Sequence, residues 1–204
     1  MTETAGADPS MTGYKWNIFI SYRRNGNVRD WVCNHFAPRL HACLIDELEY
    51  EPKIFIDQSI DIGSDWPSEL TRALQRSQLL LAVWSPSYFT SRWCLAEWQT
   101  MRRREQVLRA CGLQNPLIYP IRFSDGDRFP PEARNVQQEV SFKDWRLPYP
   151  QFEGSPKYLD FHQAMIDLAE RLAPRFDNPP AWQSDWPTEL PNPQEPLPAK
   201  LPRL

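Results

Sequence analysis

Residues 79–84, LLLAVW, carry an apolar side chain at every one of six consecutive positions. A strand with one wet face alternates apolar and polar residues, so an unbroken run flanked by Gln78 and Ser85 predicts a strand covered on both faces. Such a strand belongs in the middle of a parallel sheet with helices packed on each side. It is also the longest apolar run in the chain, far short of the roughly 20 residues that a membrane-spanning helix needs.

The remaining segments fit that frame. KWNIFISY (15–22) is a β-prone run ending in the polar loop RRNGN, KIFID (53–57) is a second strand, PLIYPIRF (116–123) a fourth, and VSF (140–142) a short fifth. Between the first two strands, Val28, Trp31, Val32, Phe36, Leu40, Leu44 and Leu48 recur at helical spacing, with Pro38 predicted to kink or split the helix. A second helix follows the loop 58–64, capped by Ser64 or Asp65 with Pro67 in its first turn. A final helix over about 158–173 places Leu159, His162, Met165, Ile166, Ala169 and Leu172 on its inner stripe. Strands alternating with helices predict a flavodoxin-like α/β three-layer sandwich whose five-stranded parallel sheet has the order 2-1-3-4-5. In that order a ligand crevice lies beyond the carboxyl ends of strands one and three.

With 204 residues, the chain supports one sizeable core plus extensions. We expect residues 1–13 to be a disordered N-terminus, 14–175 the folded domain, and 176–204 a proline-rich tail. Nine of the 21 prolines lie in residues 174–204, where no apolar periodicity survives. Trp182 and Trp186 are unusual in such a tail and are candidates to dock on the domain or on a partner. The N-terminus MTETAGADPS has neither a basic start nor an apolar core, so a cytoplasmic location is the expectation. A formal charge of −3 gives no reason to propose nucleic-acid affinity, and the basic run RRRE (102–105) reads as a solvated helix face. Cys33, Cys43, Cys94 and Cys111, with His35, His41 and His162, show no metal-ligand spacing and no disulfide framework, so no metal is assigned.

One residue resists the pattern. SRWCLAEWQTM opens a helix after the third strand; with Trp93 at zero, Glu97 falls at about 40°, Met101 at about 80°, Cys94 at about 100° and Trp98 at about 140°. The carboxylate therefore sits inside the apolar stripe, where it must find a partner or shift its pKa. It also lies in the first turns of a helix that opens at the switch point. Trp98 and Cys94 read as core, Ser21 as locally hydrogen-bonded, Tyr22 as either lining a pocket or capping the sheet, and Asp57 as positioning the loop after strand two.

FISYRRN (19–25), FIDQSIDIGSDW (55–66) and SRWCLAEW (91–98) resemble, in order and placement, the three signature boxes of the Toll/interleukin-1 receptor (TIR) domain, in its NAD-cleaving bacterial type. The likeness covers about residues 14–173. It implies that Glu97 is the catalytic residue of an NAD⁺ glycohydrolase that cleaves the nicotinamide–ribose bond, with ADP-ribose or a cyclic product. Trp93, Arg23, Arg24, Tyr22, Ser21, Asp57, Gly63 and Trp66 are the substrate-binding candidates, and NAD⁺ enters as substrate rather than cofactor. The loop 58–65 is implied to be mobile and to mediate self-association. It lacks the Pro-Gly pair of many receptor and adaptor members, which bears on adaptor-type pairing and not on the chemistry. No G-x-G-x-x-G fingerprint of an oxidoreductase is present.

Nicotinamide in NAD⁺ is already a cationic leaving group, so one carboxylate that stabilises an oxocarbenium-like ribose suffices. The implied setting is a bacterial defence or toxin effector, with activity dependent on a sensor, a partner protein or self-assembly. Two other classes stay open: a non-catalytic scaffold that pairs with other TIR domains, and a flavodoxin-like nucleotide sensor or related nucleoside-processing enzyme.

Overall fold

The computed structural model describes residues 13–57, 66–114, 116–134, 140–189 and 191. Five parallel strands, β1 (Trp16–Tyr22), β2 (Ile54–Phe55), β3 (Ser77–Trp84), β4 (Ile118–Arg122) and β5 (Val140–Ser141), form one sheet in the order β2-β1-β3-β4-β5. Register pairs Phe19 with Phe55 and with Leu80, Leu81 with Tyr119, and Ile121 with Val140. All eight residues of β3 are buried, as an unbroken apolar run at the centre of a covered sheet requires. The expected fold class and strand order are both present.

The helix after β1 continues through Pro38 in three parts: α1 (Asn27–Trp31), a π-helical stretch Val32–Phe36, and α2 (Ala37–Glu47). Proline at 38 has no N–H and crowds the carbonyl four residues earlier, and the wider π turn absorbs that clash without ending the helix. After β2 come α3 (Trp66–Gln75), then α4 (Arg92–Ala110) between β3 and β4, α5 (Pro131–Arg134) before β5, and α6 (Lys157–Asp177). Right-handed crossovers reverse direction at β1, so α1–α2 cover one face and α3 and α4 the other. α6 packs on α2. Trp31 joins the first face to the sheet, with Phe36, Phe123, Phe142 and Phe161 at ring-centroid distances of 4.9 to 6.2 Å.

Two details of the sequence reading change. The inner stripe of α6 is Phe161, Met165, Leu168, Ala169, Leu172, Ala173 and Phe176, and Leu159 is 73% exposed. Two residues before Phe161, Leu159 is rotated by about 200° and faces water. Arg104, read as part of a solvated face, is fully buried. Its guanidinium donates to the carbonyls of Ser77 (3.0 Å) and Leu74 (3.3 Å) and lies 5.1 Å from the ring of Trp186.

That contact belongs to a strap formed by the residues after α6. Tyr14 Oη donates to the Pro180 carbonyl, Trp182 Nε1 donates to the Gln75 carbonyl at 3.2 Å, and the amide of Glu189 donates to Thr100 Oγ1 at 2.8 Å. Glu189 also pairs with Arg103 at 2.5 Å. The last carbonyls of a helix have no intrahelical donor. Those of α3 are satisfied in turn by Ser77 Oγ on Ala73, Arg104 on Leu74, Trp182 on Gln75, and the amides of Lys15 and Trp16 on Arg76 just beyond. The two tail tryptophans therefore dock on the domain itself. At Gly13, φ is +87° and the Trp182 ring lies where a Cβ would stand, at 2.7 Å, so glycine is required there.

Candidate active site

The chain runs outward in opposite directions from β1 and β3, and beyond their C-terminal ends a cleft lies between the loop after β1, the end of β2 and the start of α4. Its empty volume, open mouth included, is about 420 Å³. Tyr22, Arg23, Arg24, Asp57, Trp93 and Glu97 line it, together with Ser91 and Cys94 at the helix N-terminus and Leu70 from α3.

Successive residues of a strand point to opposite faces, and β1 uses this at its last two positions. Ser21 points toward α4, where its hydroxyl donates to Glu97 Oε2 at 2.5 Å and bonds to Tyr88 Oη at 2.9 Å. Tyr22 points toward α1 and the π-helical stretch, where its hydroxyl donates to Asp57 and stands 3.7 Å from Cys33 Sγ. Asp57 also pairs with the Arg24 guanidinium. The expectation of a local hydrogen bond for Ser21 is thus corrected: both partners lie far along the chain, because β1 and α4 meet only through the sheet. Tyr22 lines the cleft, and Asp57 holds the side chains of two cleft residues.

α4 begins at a side-chain cap, Ser91 Oγ accepting from the Cys94 amide at 3.4 Å. Glu97 lies in the second turn and is 7% exposed. Burial raises its pKa from the usual carboxylate range to about 8, opposed by the Ser21 hydrogen bond and the charge of Arg24, and reinforced by Asp57. The carboxyl is therefore held close to the point where it gains or loses its proton at neutral pH. Burial likewise raises Tyr22, Tyr88 and the thiols of Cys33 and Cys94, so these groups stay neutral.

One turn before Glu97, Trp93 is half-buried and lines the cleft, whereas Trp98 is 8% exposed and packs on Trp84 (6.0 Å) and Phe89 (5.9 Å). The expectation that Trp98 is core agrees with its burial, and Trp93, a substrate-binding candidate through the family resemblance, lies at the cleft. Cys94 packs in the core and also faces the cleft. Gly63 and the loop 58–65 lie outside the described residues, and Trp66 is described only as the first residue of α3. Tyr88, Ser91 and Leu70 were missed. Tyr88 and Ser91 sit on the segment that leaves β3 at the switch point, which was a usable signal. Leu70 had none, since its place depends on how α3 packs. Among the described residues no group of three or more His, Cys, Asp or Glu could hold a metal ion, and no helix is long and apolar enough to cross a membrane.

Comparisons with known proteins bear on this arrangement. The TIR domain family model matches residues 18–172. The chain is 32% identical over 89 residues to TMV resistance protein N of Nicotiana glutinosa, covering 43% of this chain and 7% of that protein. It is 27% identical over 162 residues to a TIR domain-containing protein of Arabidopsis thaliana, covering 76% of this chain and 57% of that one. Two solved structures are similar. The TIR domain of the Toll-related receptor TRR-2 of Hydra magnipapillata has a TM-score of 0.44 and 19% identity, over 74% of this chain and 98% of that one. The TIR domains of the activated Roq1 resistosome have a TM-score of 0.40 and 22% identity, over 76% of this chain and 84% of that one. Because the family model spans most of the chain, including the sheet and the cleft residues, the chain belongs to the TIR domain family.

Proposed function

We propose that the protein cleaves NAD⁺ at the nicotinamide–ribose bond, with Glu97 as the catalytic residue. The observation that carries this reading is a buried carboxyl, poised near neutrality, at the switch-point cleft with an aromatic wall one turn before it. A scaffold has no use for a carboxyl in that position. The glycosidic bond breaks with its electron pair passing to the nicotinamide nitrogen, whose positive charge is thereby cancelled. The ribose carbon is left electron-poor, and the Glu97 carboxylate stabilises that charge where water is excluded. Water then captures the ribosyl carbon and gives up a proton to solvent, or the lone pair of an adenine ring nitrogen of the same substrate forms the bond instead. Trp93 stacks on a flat ring, and the guanidinium groups of Arg23 and Arg24 face the diphosphate. NAD⁺ is substrate here, with no further cofactor assigned.

Only ionised Glu97 does this work, so kcat/KM rises with pH and levels off above about pH 8. The test is incubation of the purified protein with NAD⁺ and measurement of free nicotinamide, with mass spectrometry separating ADP-ribose from a cyclic product. Glu97→Gln is expected to lower turnover at least ~100-fold with the fold intact. Unchanged turnover in a folded variant would remove Glu97 from the role. The name of the Nicotiana relative, a virus resistance protein, supports a defence effector as the setting.

The loop 58–65 of one molecule packs beside the cleft of the next and helps exclude water from Glu97.

A further inference from the structure

Glu97 is joined to the sheet by a continuous chain of buried oxygens. Glu97 Oε2 lies 2.5 Å from Ser21 Oγ, Ser21 Oγ 2.9 Å from Tyr88 Oη, and Tyr88 Oη 3.2 Å from the Cys94 carbonyl. Ser21 is 1% exposed and Tyr88 fully buried, so water does not supply a missing partner.

Proton counting gives this chain two states. With Glu97 protonated, its O–H donates to Ser21, Ser21 donates to Tyr88, and Tyr88 donates to the Cys94 carbonyl; each hydroxyl donates once. With Glu97 ionised, Ser21 must turn its one proton to the carboxylate, and Tyr88 stands behind it as donor to Ser21 or to the carbonyl. No heavy atom has to move. From these distances we propose that Ser21 and Tyr88 are positioning residues that fix the Glu97 carboxyl in one orientation and stabilise its ionised form by reversing the direction of this chain.

Among the described residues, four other charged or titratable groups act on the Glu97 and Cys94 side of the cleft. Arg23 and Arg24 approach from the loop after β1, Asp57 from the end of β2, and Cys94 from α4 itself. Arg24 and Asp57 act on Glu97 through space with opposite signs, and the hydroxyl chain is its direct hydrogen-bonded support. Removal of the chain therefore shifts the carboxyl toward its neutral form.

The part of this inference that concerns turnover rests on the NAD⁺ reading; the part that concerns the proton does not. Both are tested with Ser21→Ala, Ser21→Thr and Tyr88→Phe, each made alone and together with Glu97→Gln. Urea unfolding from about pH 5 to about pH 10 gives, for each pair, the pH at which the stability difference levels off, which reports Glu97 titration without substrate. Ser21→Ala is expected to move that midpoint up by about one pH unit, Tyr88→Phe by less in the same direction, and Ser21→Thr to restore it. The pH profile of nicotinamide release should move with it, so that lost activity returns at higher pH.

An unmoved midpoint in folded Ser21→Ala and Tyr88→Phe overturns the proposal, as does a rate lowered by one constant factor at every pH. If Ser21→Ala does not fold, Tyr88→Phe, which keeps the ring, decides alone. A displaced midpoint in a protein whose parent form releases no nicotinamide sustains the proton chain and removes the NAD⁺ reading.

Discussion

A carboxyl whose pKa stands near 8 in the folded protein and near 4.5 in the unfolded chain makes the native state hold a proton that the unfolded state has released. Between those values stability falls as pH rises, by about 1.4 kcal/mol for each unit of displacement. Glu97→Gln keeps the shape and the neutral state, so the variant is expected to gain on the parent from about pH 5 to about pH 8 and to hold a constant advantage above that. Urea denaturation over the pH series measures it; a difference independent of pH would mean that another group titrates. Stability and turnover therefore move in opposite directions with pH. The placement of Glu97 was legible because helical spacing alone shows a carboxylate inside an apolar stripe, and Trp93 was singled out by the resemblance of its motif to the family's third box. Ser21 and Tyr88 were not, because their partnership joins a strand end, a short 3₁₀ turn and a helix that meet only once the sheet is built.

At the scale of elements, α4 has two lives. Its first turns face the cleft, and its later turns anchor the base of the sheet. Trp98, set among Trp84 and Phe89, is expected to cost about 3 kcal/mol or more on replacement by alanine, with no change specific to substrate. Trp93→Ala should instead weaken NAD⁺ turnover while leaving the melting temperature within roughly a few degrees. Chemical denaturation and nicotinamide release on the same two proteins separate the faces; an unfolded Trp93→Ala beside a harmless Trp98→Ala would reverse them. The charge at Arg104 was illegible for a physical reason. A window of sequence shows a basic run, but the groups that accept this guanidinium are the final carbonyls of α3 and the start of β3, and its cover comes from Trp186. Burial lowers the Arg104 pKa to about 10, and the group stays charged. Trp186→Ala uncovers a desolvated cation and leaves a void, with an expected loss of about 3 kcal/mol by urea unfolding.

For the molecule as a whole, strand order was legible because β–α alternation and right-handed crossovers leave few topologies, and the position of the cleft followed from the order. The strap was not, since its prolines forbid any periodic pattern and its hydrogen bonds, ring contacts and ion pair all reach residues distant in the chain. If neighbouring molecules complete the water-excluding wall, specific activity rises steeply with protein concentration, and Asp61→Arg or Gly63→Trp abolishes it without unfolding the domain. Light scattering during turnover checks this: a monomer whose specific activity is independent of concentration rules assembly out and leaves the chemistry standing. The strap also fixes an order of events during synthesis. A ribosome releases residues 182–186 after every strand and helix of the sheet. Until then the end of α3 and the Arg104 guanidinium face water, and the hydroxyl chain at the opposite pole already has all its members. Birth of the domain therefore ends at its base, and a protease cutting the nascent chain between α6 and Trp182 would leave a protein with its cleft built and its floor open.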